Sequence, residues 1–236
     1  TFGAGGSTRE RTFDTVRLIQ EHCALEPVPH LSCISSTRDN IREILQRYRD
    51  QGIKRIVALR GDLPEGMENP GEFHYANELV AFIKDFGGFE IHVAAYPEPH
   101  PQAINALTDL EHFVRKVKAG ADVAITQYFY NNNAYYQFVE DVQRRGVDIP
   151  IVVGVMPFAS YAQVERFSKL CGAEIPRFIR ERMAAYADDP AAQVQFGIEL
   201  VTRQCEDLLR QGVPGLHFYT LNQAEPTKTI WQNLGL

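Results

Sequence analysis

An α/β chain of the (β/α)8, or TIM, barrel class is what three features of these 236 residues predict. Short apolar runs alternate with amphipathic helical patterns, the signature of parallel β/α units. Polar residues follow nearly every run, and a site assembled from many strand ends is the habit of a barrel. The competing doubly wound architecture carries G-x-G-x-x-G between its first strand and helix. The glycine-rich start here, Gly3-Ala4-Gly5-Gly6, lacks that spacing.

The runs are Leu31 to Ile34, Ile56 to Leu59, Ile91 to Tyr96, Val123 to Ile125, Ile151 to Met156 and Leu216 to Leu221. Most are continuous rather than alternating, as expected of strands buried on both faces of a parallel sheet. Between them, Ile41, Ile44, Leu45 and Tyr48 follow the spacing of one helix face, as do Leu110, Phe113, Val114 and Val117, and then Tyr135, Phe138, Val139 and Val142. Thr108 with Glu111, and Ser160 with Gln163, predict capping boxes at two helix starts. The last and longest gap predicts one helix around Ile175 to Tyr186 and another with Val194, Ile198, Val201, Cys205 and Leu208 on one face. A closed barrel needs eight strands. The expectation is therefore that the first strand and most of the second, roughly 50 residues by the usual length of a barrel unit, are absent from this chain, with Thr1-Phe2 the tail of a strand. Residues 1–236 then form a single barrel domain, incomplete at its N-terminus.

With 44% hydrophobic and 23% charged residues the composition is globular, which argues against bulk disorder. A net charge of −6 and the lack of a basic cluster argue against a nucleic-acid partner. The Arg177 to Arg182 stretch, diluted by Glu181, predicts a solvated helix face. No apolar run approaches the ~18 residues of a membrane span, and no signal segment opens the chain. Cys23, Cys33, Cys171 and Cys205 are scattered without C-x-x-C or Cys/His spacing. Free buried thiols in a reducing cytoplasm follow, with no metal site. A metal-dependent aldolase or hydrolase barrel is disfavoured because no His/Asp/Glu cluster with ligand spacing appears in the sequence.

Polar candidates gather after the strands. Arg60-Gly61-Asp62 pairs a bidentate donor with an acceptor, and its glycine permits close approach by a backbone or ligand; an Arg–Asp ion pair pinning a loop explains it equally well. In Ala94-Ala95-Tyr96-Pro97-Glu98-Pro99-His100-Pro101 small residues leave room for a flat ligand, tyrosine offers a stacking face, and prolines stiffen the loop; a rigid turn is the alternative reading of the same prolines. Asp109, His112 and Arg115-Lys116 lie along one side of a helix; a solvated face is the default reading, and the functional one is a pair of cations placed for a diphosphate. Gln127, at the head of the aromatic run Tyr128-Phe129-Tyr130, suits the edge of a heterocycle; a core amide satisfied by backbone explains it equally well. Gln163 is also explained by its capping box, and Phe167 one turn on by core packing.

His30-Leu31-Ser32-Cys33, Ala58-Leu59-Arg60-Gly61-Asp62, Ala94-Ala95-Tyr96-Pro97-Glu98 with His100, Ala124-Ile125-Thr126-Gln127 and His217-Phe218-Tyr219-Thr220-Leu221-Asn222 stand in order with matching gaps. Together they resemble methylenetetrahydrofolate reductase of the bacterial single-domain type, over essentially the whole chain. The resemblance implies a barrel that holds FAD without a Rossmann motif. NADH or NADPH reduces the flavin, and 5,10-methylenetetrahydrofolate then takes the same place and is reduced to 5-methyltetrahydrofolate. By resemblance, FAD contacts fall on Thr1, Phe2, Ala4, His30, Arg60, Gly61, Asp62, Tyr75, Ala76, Ala94, Tyr96, His100, Ala103, Asp109, His112, Arg115 and Lys116. Asp62 and Gln127 are the implied catalytic pair. Asp62, Gln127, Gln163, Phe167 and Gln223 are the implied substrate contacts, Phe167 packing on the nicotinamide cofactor. Gln223 stands where many members carry a folate-holding arginine. The family's general-acid glutamate ends the first barrel strand, which is expected to precede Thr1. A cytoplasmic homo-oligomer is implied as well. The rival readings are a non-catalytic flavin-binding barrel derived from this family, and another FAD barrel such as proline dehydrogenase. The Gln127 and Gln163 pair argues against the latter.

Overall fold

The computed structural model describes residues 9–62, 71–158 and 160–236. Their elements, in chain order, are α1 (Arg9–His22), β1 (His30–Ser32), α2 (Arg38–Asp50), β2 (Arg55–Leu59), α3 (Ala76–Phe86), β3 (Glu90–Ala95), α4 (Ala106–Lys118), β4 (Val123–Thr126), α5 (Asn132–Gln143), β5 (Ile151–Val155), α6 (Tyr161–Cys171), α7 (Arg177–Ala185), α8 (Pro190–Arg210), β6 (Leu216–Phe218) and α9 (Ala224–Asn233). The sheet order follows chain order, β1-β2-β3-β4-β5-β6. β1 pairs parallel with β2 (His30 opposite Val57), β2 with β3 (Arg55 opposite Glu90), and β5 with β6 (Val153 opposite Leu216). A doubly wound sheet reverses its order at a switch point; this one does not, and its class is the (β/α) barrel. Thr1, Phe2 and Ala4 lie outside the described residues.

The chain forms two compact units, Thr1–Ala94 with His112–Ala124 and Ala95–Glu111 with Ile125–Leu236. In the first, the α2 stripe is buried as its spacing predicts, at Ile41, Ile44, Leu45 and Tyr48. Phe13 of α1 packs on Tyr48 with ring centroids 4.9 Å apart. Thr37 caps α2 by accepting the Asn40 N–H at 3.2 Å. α3 buries Leu79, Val80 and Ile83; Leu79, Phe82, Ile83 and Phe86 have the same helix-face spacing, so this helix was legible too. In the second unit α5 buries Tyr135, Phe138 and Val142. α8 buries Ile198, Val201, Cys205 and Leu208, with Gln193 rather than Val194 in the position one turn earlier. Gln193 tolerates burial because its Nε2 donates to Tyr186 O at 2.9 Å and its Oε1 accepts the Tyr161 N–H at 3.1 Å.

Several expectations need correction. Burial in β3 and β4 alternates, with Ile91, Val93 and Ala95 inside and Glu90, His92 and Ala94 half-buried. The apolar run conceals this because small apolar residues also occupy the more open face. β6 is half-buried throughout and ends at Phe218, short of the apolar run's end, and the chain then turns through left-handed backbone at Leu221 (φ 49°) and Asn222 (φ 60°). The box at Thr108 does not form. Asn105 Oδ1 accepts both the Thr108 N–H (2.9 Å) and its hydroxyl (3.1 Å), so Asn105 caps α4 and the helix begins ahead of Thr108. Ser160 does cap α6, accepting the Gln163 N–H at 3.3 Å. Arg177 and Glu181 pair at 2.6 Å on an exposed face, as expected of a solvated helix. All four cysteines are free thiols, but Cys23 is exposed and Cys171 only half-buried.

Candidate functional site

In the first unit the chemistry starts at the carboxyl ends of β1 and β2. Ser32 Oγ donates to Arg60 O at 2.9 Å, and the Ile34 N–H donates to the same carbonyl at 2.8 Å. Gly61 follows with φ +84°, and a Cβ there would lie 2.0 Å from Ser32 Oγ. Two demands therefore converge on glycine, a left-handed backbone and the close passage of a side chain. The close approach expected at Gly61 is made by Ser32. Arg60 is half-buried, with Nε donating to Gly61 O at 3.1 Å, while Asp62 is exposed. His30 opens β1, two residues before Ser32 and on the same face. Burial pushes the Cys33 thiol up to about 12, which keeps it a protonated, inert neighbour of this strand end.

At the end of β3, Lys116 donates from Nζ to Ala94 O. Neighbouring helix residues diverge in direction, so Arg115 and His112 are exposed while Lys116 is half-buried. Tyr75 is the exposed N-cap of α3, and Ala76 is that helix's first residue.

In the second unit the Tyr96–Pro101 loop is tied at several points. Tyr96 and His100 meet edge to face with centroids 4.7 Å apart. Asp109 Oδ2 accepts the His100 N–H at 2.9 Å, and His100 Nδ1 accepts the Gln102 N–H at 3.0 Å, which assigns the ring proton to Nε2. The Ala103 N–H closes the turn on His100 O at 2.8 Å. Glu98 Oε2 accepts the Glu174 N–H at 2.8 Å, and burial raises its carboxyl above the usual range. Asp109, expected on the flavin, thus also braces the loop that carries Tyr96 and His100.

At the end of β4, Thr126 belongs to the strand and is fully buried, its Oγ1 accepting the Gly154 N–H at 2.8 Å. Gln127 is half-buried. Its N–H donates to Ala95 O at 2.8 Å, and its Oε1 accepts the Tyr128 N–H at 3.0 Å. The expectation of an amide satisfied by backbone thus describes its oxygen end. Tyr128 and Tyr130 anchor an apolar cluster with Met156, Phe158, Val164, Ile179 and Met183, against which Phe167 and Tyr219 pack. Gln163 and Phe167 are half-buried one turn apart on α6, with the Arg166 guanidinium 4.8 Å from the centre of the Phe167 ring. Gln223 is the exposed N-cap residue of α9.

Two participants escaped the sequence reading. Leu221 adopts a backbone that bulky side chains rarely take, two residues before Gln223. Tyr219 is hydrogen-bonded to Thr126 O, 93 positions away in the chain; nothing local signals that bond. Among the described residues no group of three or more His, Cys, Asp or Glu could hold a metal ion. Among the same residues, no helix is long and apolar enough to cross a membrane.

The profile of the methylenetetrahydrofolate reductase family matches residues 1–235. The chain is 39% identical over 236 residues to the 5,10-methylenetetrahydrofolate reductase of Pectobacterium carotovorum subsp. carotovorum, covering 100% of this chain and 78% of that one. It is 39% identical to that of Escherichia coli (strain K12), covering 79% of the relative. Methylenetetrahydrofolate reductase (NADH) 1 of Zea mays matches at 37% identity over 42% of its length. Among solved structures, a protein from Clostridium thermocellum that binds two copies of 5-methyl-5,6,7,8-tetrahydrofolic acid aligns with a TM-score of 0.58 at 15% identity, covering 93% of this chain and 77% of that one. At that identity the likeness is one of fold.

Proposed function

Because this chain belongs to the methylenetetrahydrofolate reductase family, we propose that it reduces 5,10-methylenetetrahydrofolate to 5-methyltetrahydrofolate, with FAD as cofactor and NADH or NADPH as reductant. The observation that carries this reading is the family match over residues 1–235. Bound FAD supplies a ring that accepts hydride from the nicotinamide and passes it to the folate.

The donor set of each unit fits its share of that task. In the first unit, Lys116 brings an ammonium to the end of β3 and Arg115 an exposed guanidinium beside it in sequence, two cations suited to a diphosphate. Asp62, an exposed carboxylate after β2, suits an N–H edge of a heterocycle, and its charge disfavours a second negative charge nearby. In the second unit, Tyr96 and His100 form a braced aromatic wall. Gln127 has its carbonyl oxygen engaged by Tyr128 N–H, which suits its amide nitrogen to a pterin or nicotinamide acceptor. Gln163 and Phe167 supply a polar and an aromatic contact from α6, and Gln223 a neutral one from the start of α9.

The visible absorption spectrum of the purified protein tests the cofactor. Anaerobic mixing first with NADH or NADPH and then with methylenetetrahydrofolate tests each half-reaction. Flavin bands that bleach with a nicotinamide and return with the folate are expected. A colourless protein, or a reduced flavin that the folate does not reoxidise, overturns the reading.

A further inference from the structure

We propose that Tyr219 is a positioning residue for Gln127. The inference rests on the reading above, in which the Gln127 amide meets the folate and the nicotinamide. Its basis is one peptide group, the link between Thr126 and Gln127, held at both ends. Tyr219 Oη donates to the Thr126 carbonyl at 2.8 Å. The N–H of the same peptide, that of Gln127, donates to Ala95 O at 2.8 Å. A peptide group is planar and stiff, so anchoring its oxygen and its hydrogen sets the plane and the direction in which the Gln127 Cα leaves it. The side chain is then steered by the bond from Tyr128 N–H to Gln127 Oε1, 3.0 Å.

The surroundings are shaped around this contact. Gly154 of β5 stands between the ring and the carbonyl's strand: a Cβ there would lie 2.1 Å from Thr126 O and 2.7 Å from Tyr219 Cε2. Only glycine admits the phenol to that carbonyl. The Gly154 N–H turns to Thr126 Oγ1 at 2.8 Å, which fixes the rotamer of the preceding side chain. The Tyr219 ring is held edge-on by His217, with centroids 4.9 Å apart, and by Tyr128 at 6.4 Å. Its own N–H donates to Val155 O at 2.9 Å, which pins its backbone to the end of β5. A carbonyl oxygen only accepts, so the phenol must donate. Burial raises the phenol well above the ordinary tyrosine range and keeps that proton in place.

Thr-Gln occurs only at 126–127 in this sequence. Carbonyl-¹³C threonine with ¹⁵N glutamine labelling therefore isolates one amide resonance, a readout independent of activity. Tyr219→Phe should move that resonance and weaken folate reduction roughly five- to tenfold, the scale of one net hydrogen bond, while flavin content stays unchanged. In a Gln127→Ala background the same replacement should cost nothing further, because the route of action is gone. Tyr219→4-aminophenylalanine, which keeps a donor, should restore both resonance and rate. An unmoved resonance overturns the proposal, as does an equal loss in the Gln127→Ala background. Should Gln127→Ala leave both half-reactions intact, the functional reading of Gln127 fails, and the resonance alone decides whether Tyr219 holds the peptide. Should Tyr219→Phe fail to fold, Tyr219→3,5-difluorotyrosine keeps the shape and strengthens the donor, and a resonance that does not follow donor strength overturns the proposal.

Discussion

In the first unit Asp62, Tyr75, His112 and Arg115 stand exposed at loop and helix positions, whereas in the second three residues are held by hydrogen bonds: Gln127 by Ala95 O and the Tyr128 N–H, His100 by Asp109 Oδ2 and the Gln102 N–H, and Tyr219 by Thr126 O. The difference matches what each set is proposed to do. A charge acts over several ångströms and tolerates displacement. An amide reading a ring edge must lie within hydrogen-bond distance, and a small misplacement costs rate steeply. Lys116 and Arg60 depart from this in the first unit, cations that are also braced, by Ala94 O and Gly61 O.

The contrast breaks most visibly at Gly154. Its replacement by alanine drives a Cβ into the Thr126 carbonyl, and we expect a loss of about 2–4 kcal/mol in unfolding free energy, read from denaturant midpoints. A loss under about 0.5 kcal/mol, the range of an ordinary surface change, would show the second unit to be less tightly built than its hydrogen bonds imply. Alkaline pH compares the two units next, because each buries one thiol. Burial pushes Cys33 and Cys205 up to about 12. Each thiol therefore stays protonated in the folded state while it ionises in the unfolded chain. Stability is undiminished below pH ~8.5 and falls as pH rises towards 12, by up to about 1.4 kcal/mol per thiol for each pH unit. Cys33→Ala and Cys205→Ala should each flatten the measured slope, and an unchanged slope in either refutes that thiol's share.

The adjacent cations Arg115 and Lys116 sharpen that departure. Arg115→Ala should lower FAD retention and leave the melting temperature of the apoprotein within a degree or two, as for an exposed residue. Lys116→Ala should lower both, because it also strips the Ala94 carbonyl of its donor. Equal melting temperatures for the two variants would remove the distinction. The smallest effect is expected at Gln223. Gln223→Arg supplies a charge-assisted contact and should tighten folate by about fivefold, with the rate of flavin reduction by the nicotinamide unchanged. A change in that rate would show that Gln223 serves more than the folate.

The helix faces and the order of the strands were determined by the sequence itself. Ile41, Ile44, Leu45 and Tyr48 are buried because a 3.6-residue period places them on one side whatever they pack against. The same holds for motif order: five short segments in register identify a family without a single coordinate. What only the folded structure decided are the matters settled by competition between partners, some close in the chain and most distant. Thr108 reads as a helix start, but the neighbouring Asn105 wins the competition for its N–H. β3 reads as uniformly apolar, and which of its faces is covered depends on the layers around it. Gln127 was legible as an amide at a strand end. Its orientation depends on Ala95 and Tyr219, and on the glycine in β5 that lets the phenol through. Backbone carbonyls carry no side-chain identity, so a hydrogen bond from a tyrosine to a carbonyl 93 residues earlier leaves no mark in composition or periodicity. It exists only once the strands between them have taken their places.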